Sequence, residues 1–109
     1  MADTLKVLAQ SNPVAATLTD AYTVPAATST TVSSVVVANR SAVATTFRIS
    51  VAVAGAADAA QQYLYYDMAI SGNDTFVATI GISLAATDVV RVYATLATLS
   101  FSIFGVEIT

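Results

Sequence analysis

Residues 88–105, DVVRVYATLATLSFSIFG, constrain the fold more than any other stretch of this chain. They read as two β-strands, VVRVYAT and TLSFSIFGVEI, joined by a short turn around Leu96 and Ala97. In the second strand Leu99, Phe101 and Ile103 face one way while Ser100 and Ser102 face the other, the period of two that marks a half-buried strand. Past Phe104 the apolar positions change parity, and Val106 and Ile108 carry the pattern. A glycine at that switch, Gly105, predicts a β-bulge that turns Val106 and Ile108 toward the core. A hairpin this apolar is not stable alone in water, so further strands must cover it. Phe101 and Ile103 are expected to meet Phe47 and Ile49 there.

The remaining segments supply those strands. Residues 6–10 form a short apolar segment, an edge strand or an arm, ended by Ser11-Asn12-Pro13. Residues 16–24 carry Leu18 and Tyr22 on one parity and stop at Pro25. Residues 30–38 have high strand propensity and end in an apolar run covered on both faces. Residues 45–53 alternate, with Phe47, Ile49, Val51 and Val53 inward and Arg48, Ser50 and Ala52 outward. Residues 55–60, GAADAA, are too short for a stable helix and read as a loop or single turn. Residues 62–70 place Leu64, Tyr66, Met68 and Ile70 on one face and Tyr63, Tyr65 and Asp67 on the other. Ser71-Gly72-Asn73-Asp74 is a dense turn signal. Residues 75–80 and 82–85 flank Gly81, a second expected bulge. About eight short strands with no sustained helical period predict an all-β fold: a single antiparallel β-sandwich, jelly-roll-like, with no substantial helix. Residues 1–13 form an N-terminal arm or short edge strand, and residues 14–109 the sandwich domain.

The chain has 109 residues, the size of one domain. Only 10% of its residues are charged, against roughly 25% in an average soluble domain. A monomer so poor in charge exposes neutral surface, and part of that surface is expected to be buried against partners. A net charge of −3 with four basic residues argues against nucleic-acid binding and against docking on anionic lipid. There is no cysteine and no histidine, which removes disulfides, thiolate chemistry and imidazole metal sites. The longest uncharged run, residues 21–39, contains Pro25 and many Ser and Thr and is no membrane span. The opening MADTLKVLAQSNP lacks the layout of a signal peptide, so synthesis in a cytoplasm is expected.

No catalytic constellation stands out. The carboxylates are Asp3, Asp20, Asp58, Asp67, Asp74, Asp88 and Glu107, and the aspartates sit in or beside turns, where their side chains bond local backbone. A serine nucleophile would lack a histidine base. Residues 71–75 carry calcium-ligand types but read more simply as a hairpin turn. The expectation is therefore no enzyme, no metal and no cofactor. The binding-like features are aromatic and cationic. Tyr66 is expected to fill the core, while Tyr63 and Tyr65 either cover a sheet or form an interface, with sugar stacking a lesser option. Arg48 and Arg91 sit mid-strand, where cross-strand pairing with Asp67 or Glu107 is the plainer account. Tyr63, Tyr65, Arg40, Arg91 and Tyr93 are the candidate interface residues, together with an arm over residues 2–11.

Several segments resemble small bacteriophage virion proteins. They are residues 17–41 (TLTDAYTVPAATSTTVSSVVVANRS), 67–95 (DMAISGNDTFVATIGISLAATDVVRVYAT) and 99–108 (LSFSIFGVEI). In that group a YTVP element, here residues 22–25, leads to a V-x-N-R-S turn, here residues 37–41. An I-x-x-N-D-T element at 70–75, an L-x-x-x-D-x-V-R-V-Y strand at 84–93 and a closing G-x-E strand at 105–107 complete the likeness. The resemblance implies a β-sandwich that assembles on a virion and carries no catalytic residues. Its leading implication is a capsid decoration (cement) protein, a homo-oligomer with a trimer preferred, which binds the major capsid protein on the outer surface of a phage head. It would be synthesised in the bacterial host cytoplasm. The alternative it implies is a tail, baseplate or fibre module that binds a host receptor such as a glycan. A cellular adhesin or pilus subunit ranks below both.

Overall fold

A computed structural model describes residues 2–109, and 62% of the chain is strand. Eight strands follow one another: β1 (Asp3–Ser11), β2 (Thr19–Thr23), β3 (Ser29–Asn39), β4 (Thr45–Ala52), β5 (Tyr63–Ile70), β6 (Thr75–Leu84), β7 (Val89–Ala94) and β8 (Leu99–Ile108). Between β4 and β5 lie two single 3-10 turns, Val53–Gly55 and Ala60–Gln62. Residues 3–11 are thus a nine-residue edge strand paired with β8. Met1, the first residue of the expected arm, lies outside the described residues.

Two antiparallel sheets, ordered β1-β8-β3-β6 and β2-β7-β4-β5, pack face to face as a small β-sandwich. The pairs β1·β8, β2·β7, β3·β6 and β4·β5 are those of one long hairpin folded at its middle. Rolling that hairpin up brings β8 beside β3 and β7 beside β4. This is the jelly-roll arrangement.

The core forms where the two sheets meet. Phe47 of β4 lies 6.0 Å from Phe101 of β8 and 5.2 Å from Phe76 of β6, ring centre to ring centre. Ile49, Val92, Val35, Val37, Leu99 and Ile103 belong to the same fully buried layer. Each such side chain contributes roughly 1.5–3 kcal/mol of transfer free energy. The expected meeting of Phe101 and Ile103 with Phe47 and Ile49 is found in this one buried cluster.

The end of β8 departs from expectation. Its register is unbroken through Phe104 and Gly105, and the extra residues belong to its neighbours: Leu8 on β1 and Ser33 on β3. The irregularity crosses into β6 at Ile80 and Gly81, where Gly81 has φ +56°. Because β8 keeps its parity, Gly105 and Glu107 continue the inward row begun at Leu99. Val106 and Ile108 therefore stay on the outer face rather than entering the core. The reason for the glycine is close approach. A Cβ at position 105 would stand 2.1 Å from the Thr31 carbonyl oxygen and 3.0 Å from Val32 Cα. Val53, expected to point inward, is exposed, because β4 ends at Ala52 and the chain turns there. Ser50 and Ala52, expected outward, are buried because the 53–62 segment folds back over them.

These two glycines predict different costs. Gly105→Ala forces backbone apart and is expected to destabilise by about 3 kcal/mol. Gly81→Ala meets nothing within 4 Å and should lose only the left-handed backbone penalty of about 1–2 kcal/mol, with Gly81→Asn milder still. Urea denaturation of the three variants checks the order, and a Gly105→Ala protein as stable as the wild type would contradict the close approach.

Candidate functional site

Two polar constellations rise above the general surface. The first bridges the sheets. Tyr22 on β2 reaches across to β8, donating its hydroxyl to Glu107 Oε2 at 2.6 Å and lying 2.8 Å from Thr30 Oγ1 on β3. Lys6 Nζ donates to the other carboxylate oxygen at 3.1 Å. The phenol's hydrogen bond, then that of Lys6, hold Glu107 below the usual carboxylate range. Burial first, and the Glu107 carboxylate second, push the Tyr22 phenol up to about 12. A carboxylate so stabilised as an anion is a poor proton acceptor, and a phenol held protonated is a poor acid near neutrality. The cluster is an inter-sheet tie. Sequence periodicity hid it, because Glu107 counted as the polar side of a strand whose parity was expected to switch.

The second constellation lies on the outer face of the β2-β7-β4-β5 sheet. Here β5 holds two residues, Tyr66 and Asp67, against Arg48 alone on β4, and Asp67 takes φ 51° to absorb the surplus. The bulge exchanges Tyr65 and Tyr66 between the two faces, and a second irregularity at Leu64 keeps Tyr63 on the outer one. Tyr65 turns inward, 5.3 Å from Phe76 and 6.5 Å from Phe47, while Tyr66 swings out and remains 59% exposed. Arg48 is stacked between two rings, its Cζ 4.2 Å from the Tyr66 centre and 4.4 Å from that of Tyr93. Its Nε donates to Asp67 Oδ1 at 2.7 Å, and this bond holds the guanidinium above its ordinary pKa. Tyr63 meets Tyr66 edge-to-face at 5.0 Å and 89°. Tyr63, Tyr66 and Arg48, with Asp58, Ala59 and Ala60 of the β4–β5 connection, line a depression of ≈ 620 Å³.

The wall formed by that connection is anchored rather than loose. Arg91 donates to the carbonyls of Ala56 at 2.8 Å and Gly55 at 3.2 Å, and its Nε to Asp20 at 2.8 Å. Asp88 accepts from the amides of Ala54 and Ala85, both at 2.9 Å. Gln62 donates to the Ala57 carbonyl at 2.9 Å.

The five candidate residues are not one site. Tyr63 and Tyr93 belong to the Arg48 cluster. Arg91, two residues before Tyr93, is spent on Asp20 and the 55–56 carbonyls. Tyr65 packs into the aromatic core, contrary to its expected outward parity, because of the bulge at Asp67. Arg40 lies at the opposite end of the sandwich, donating to Asn12 Oδ1 at 2.9 Å and the Ala97 carbonyl at 3.0 Å. Tyr66, Arg48 and Asp58 complete the depression. The cross-strand Arg48–Asp67 pair was readable from spacing; the exposure of Tyr66 was not. In the 71–75 turn the Ser71 carbonyl accepts from Asn39 and the Asp74 carboxylate from Thr75, so these oxygens serve the turn. Among the described residues no group of three or more His, Cys, Asp or Glu could hold a metal ion, and no helix is long and apolar enough to cross a membrane. Compared with protein-family models, curated proteins and solved structures, the chain shows no match.

The inter-sheet tie makes stability sensitive to pH on both flanks. Glu107 has a lowered folded pKa, so its contribution is present above the ordinary value of 4.5 and is lost as pH falls below it. Tyr22 keeps its proton to about pH 12 when folded but loses it near 10.0 when unfolded, so stability falls as pH rises between those values. Tyr22→Phe should cost about 1.5–3 kcal/mol at neutral pH, the range for a hydrogen bond to a charged group. It should also flatten both flanks of the urea midpoint plotted against pH. Superimposable profiles for the two proteins would refute the tie.

Proposed function

We propose that this protein is a virion structural protein that decorates the outer surface of a phage head and stabilises the assembled shell. The observation that carries the reading is the outer face of the β1-β8-β3-β6 sheet. Alternation along the paired strands puts Leu5, Val7, Val36, Val77, Phe104, Val106 and Ile108 on that face among serines and threonines. Asp3, at one corner, is its one charged strand residue. Leu5 is 79% exposed and Val77 59%. Charge depletion with aromatic and aliphatic enrichment is the composition of an interface centre rather than of a solvated sheet. The resemblance to phage virion proteins names the setting. The jelly-roll sandwich is compatible with it, since capsid domains use that architecture, although a fold alone assigns no function.

The mechanism is mass action. A protein that binds only the assembled major capsid protein lowers the free energy of the shell by its own binding free energy at the prevailing concentration. Burying the uncharged face against the shell and against further copies of the chain, a trimer being the preferred state, removes apolar surface from water. It also adds subunit-bridging contacts that resist internal pressure. The protein would be made in the host cytoplasm and reside on the capsid surface.

Quantitative mass spectrometry of purified particles tests the placement. Copy number of the order of the major capsid protein, released with the shell, is expected; a few copies co-purifying with tails would instead indicate the tail, baseplate or fibre role. Sedimentation velocity tests the face itself. The wild type should run larger than its 11.2 kDa chain, and Val77→Lys with Val106→Lys should shift it toward monomer while leaving the thermal transition in place. A wild type that stays monomeric at micromolar concentration would contradict self-association.

A further inference from the structure

We propose that the depression between Tyr66, Tyr63 and the 58–60 segment is a binding site for a neutral pyranose sugar. This inference does not depend on where in a virion the protein sits. The site joins a large exposed aromatic surface to polar groups at its margin, which matches a sugar ring with an apolar C–H face and a hydroxyl-bearing edge. Tyr66 supplies the platform, 59% exposed even with Arg48 stacked against it. Asp58 supplies hydroxyl acceptors, and the half-buried Arg48 presents guanidinium N–H donors beyond the two given to Asp67. A depression of ≈ 620 Å³ falls within the size range of small-ligand sites.

Preorganisation distinguishes this patch from an ordinary aromatic surface. Arg48 is fixed by two rings and a carboxylate, and Tyr63 and Tyr66 hold each other edge-to-face. The connection that forms the opposite wall is held before it by Asp88 at Ala54 and Arg91 at Ala56, and around it by Gln62 at Ala57 and Ala59. Few rotamers remain to be frozen on binding, so weak sugar contacts are not cancelled by ordering. Partial burial, and then a hydrogen bond to the Asp58 carboxylate, push the Tyr63 phenol above its ordinary pKa.

Charge selects against the other ligand classes. Arg48 is already paired with Asp67, so the remaining carboxylate, Asp58, disfavours an acidic sugar or a phosphate. A cationic ligand is disfavoured differently: Arg48 already occupies one face of Tyr66, so a second cation on that ring would feel a weakened quadrupole and the repulsion of the first. The edge-to-face contact of Tyr63 and Tyr66 at 5.0 Å also leaves no gap between the rings to enclose an ammonium.

Amide NMR titration of the isotope-labelled protein tests the site. The neutral probes are the methyl pyranosides of glucose, galactose, mannose and N-acetylglucosamine; the charged probes are sialyllactose and choline. At least one neutral pyranoside should shift the signals of Asp58, Ala59, Ala60, Tyr63 and Tyr66 with a millimolar dissociation constant. Tyr66→Ala should weaken that binding by about tenfold or more, whereas Tyr66→Phe, which keeps the ring, should retain it. Tyr66 is exposed, so an unchanged thermal transition will show that both variants are folded. The proposal is overturned if no neutral pyranoside shifts these signals, if only sialyllactose or only choline does so, or if Tyr66→Ala binds as the wild type does.

Discussion

The missing Cβ at Gly105 is the constraint on which much of this structure depends. Strand β8 lies between β1 and β3, so any side chain there would have to displace the β3 backbone, whose Thr31 carbonyl would stand 2.1 Å from it. With the space open, both neighbours take up an extra residue while β8 runs straight. Its inward row then extends from Leu99 through Gly105 to Glu107. One row therefore builds the apolar core at one end and the Tyr22–Glu107 tie between sheets at the other. The apolar face outside is a consequence of the same parity, because Phe104, Val106 and Ile108 are left with nowhere inward to go.

Legibility followed regularity. The run Leu99–Phe101–Ile103 and the pair Phe47–Ile49 alternate without interruption, and their shared core was readable from the sequence, as was the order of elements that makes a sandwich. The misreadings lie at register shifts. Tyr65 and Tyr66 are adjacent, so one surplus residue at Asp67 exchanges which of them is buried, and strand periodicity alone does not say where such a surplus falls. The fate of Ser50 and Ala52 depended on a segment folding over them from outside the sheet, a tertiary effect that strand periodicity does not encode. Gly105 drew notice as a glycine at an apparent parity switch, but the parity does not switch: the bulges sit on the strands beside it, and the glycine answers the close approach of the Thr31 carbonyl.

The low charge content acquires a structural meaning from the pairings. All four basic residues are engaged: Lys6 with Glu107, Arg48 with Asp67, Arg91 with Asp20, and Arg40 with Asn12 and the Ala97 carbonyl. Exposed pairs of this kind are worth only about 0.2–1 kcal/mol each, so their value lies less in stability than in fixing where strands and connections sit. Arg40 ties the β1–β2, β3–β4 and β7–β8 connections at one end, and Arg91 with Asp88 ties those at the other. Charges used as braces are not available to solvate a sheet face, which is why the β1-β8-β3-β6 face is left to serine, threonine and aliphatic side chains.

The two sheet faces are consequently unlike, and they point in opposite directions. One is broad, nearly uncharged and rimmed by the open edge of β1; the other carries a small depression whose aromatic platform is held in place by a doubly stacked arginine. A broad apolar face suits a large, shape-matched protein partner, because its free-energy gain scales with area removed from water. A braced depression suits a small ligand, because its gain comes from not having to freeze side chains. In a sandwich two sheets thick, occupying the first face leaves the second directed away from whatever was docked. Attachment and small-ligand contact are therefore compatible within a single copy of this chain, and neither requires the other to be vacant.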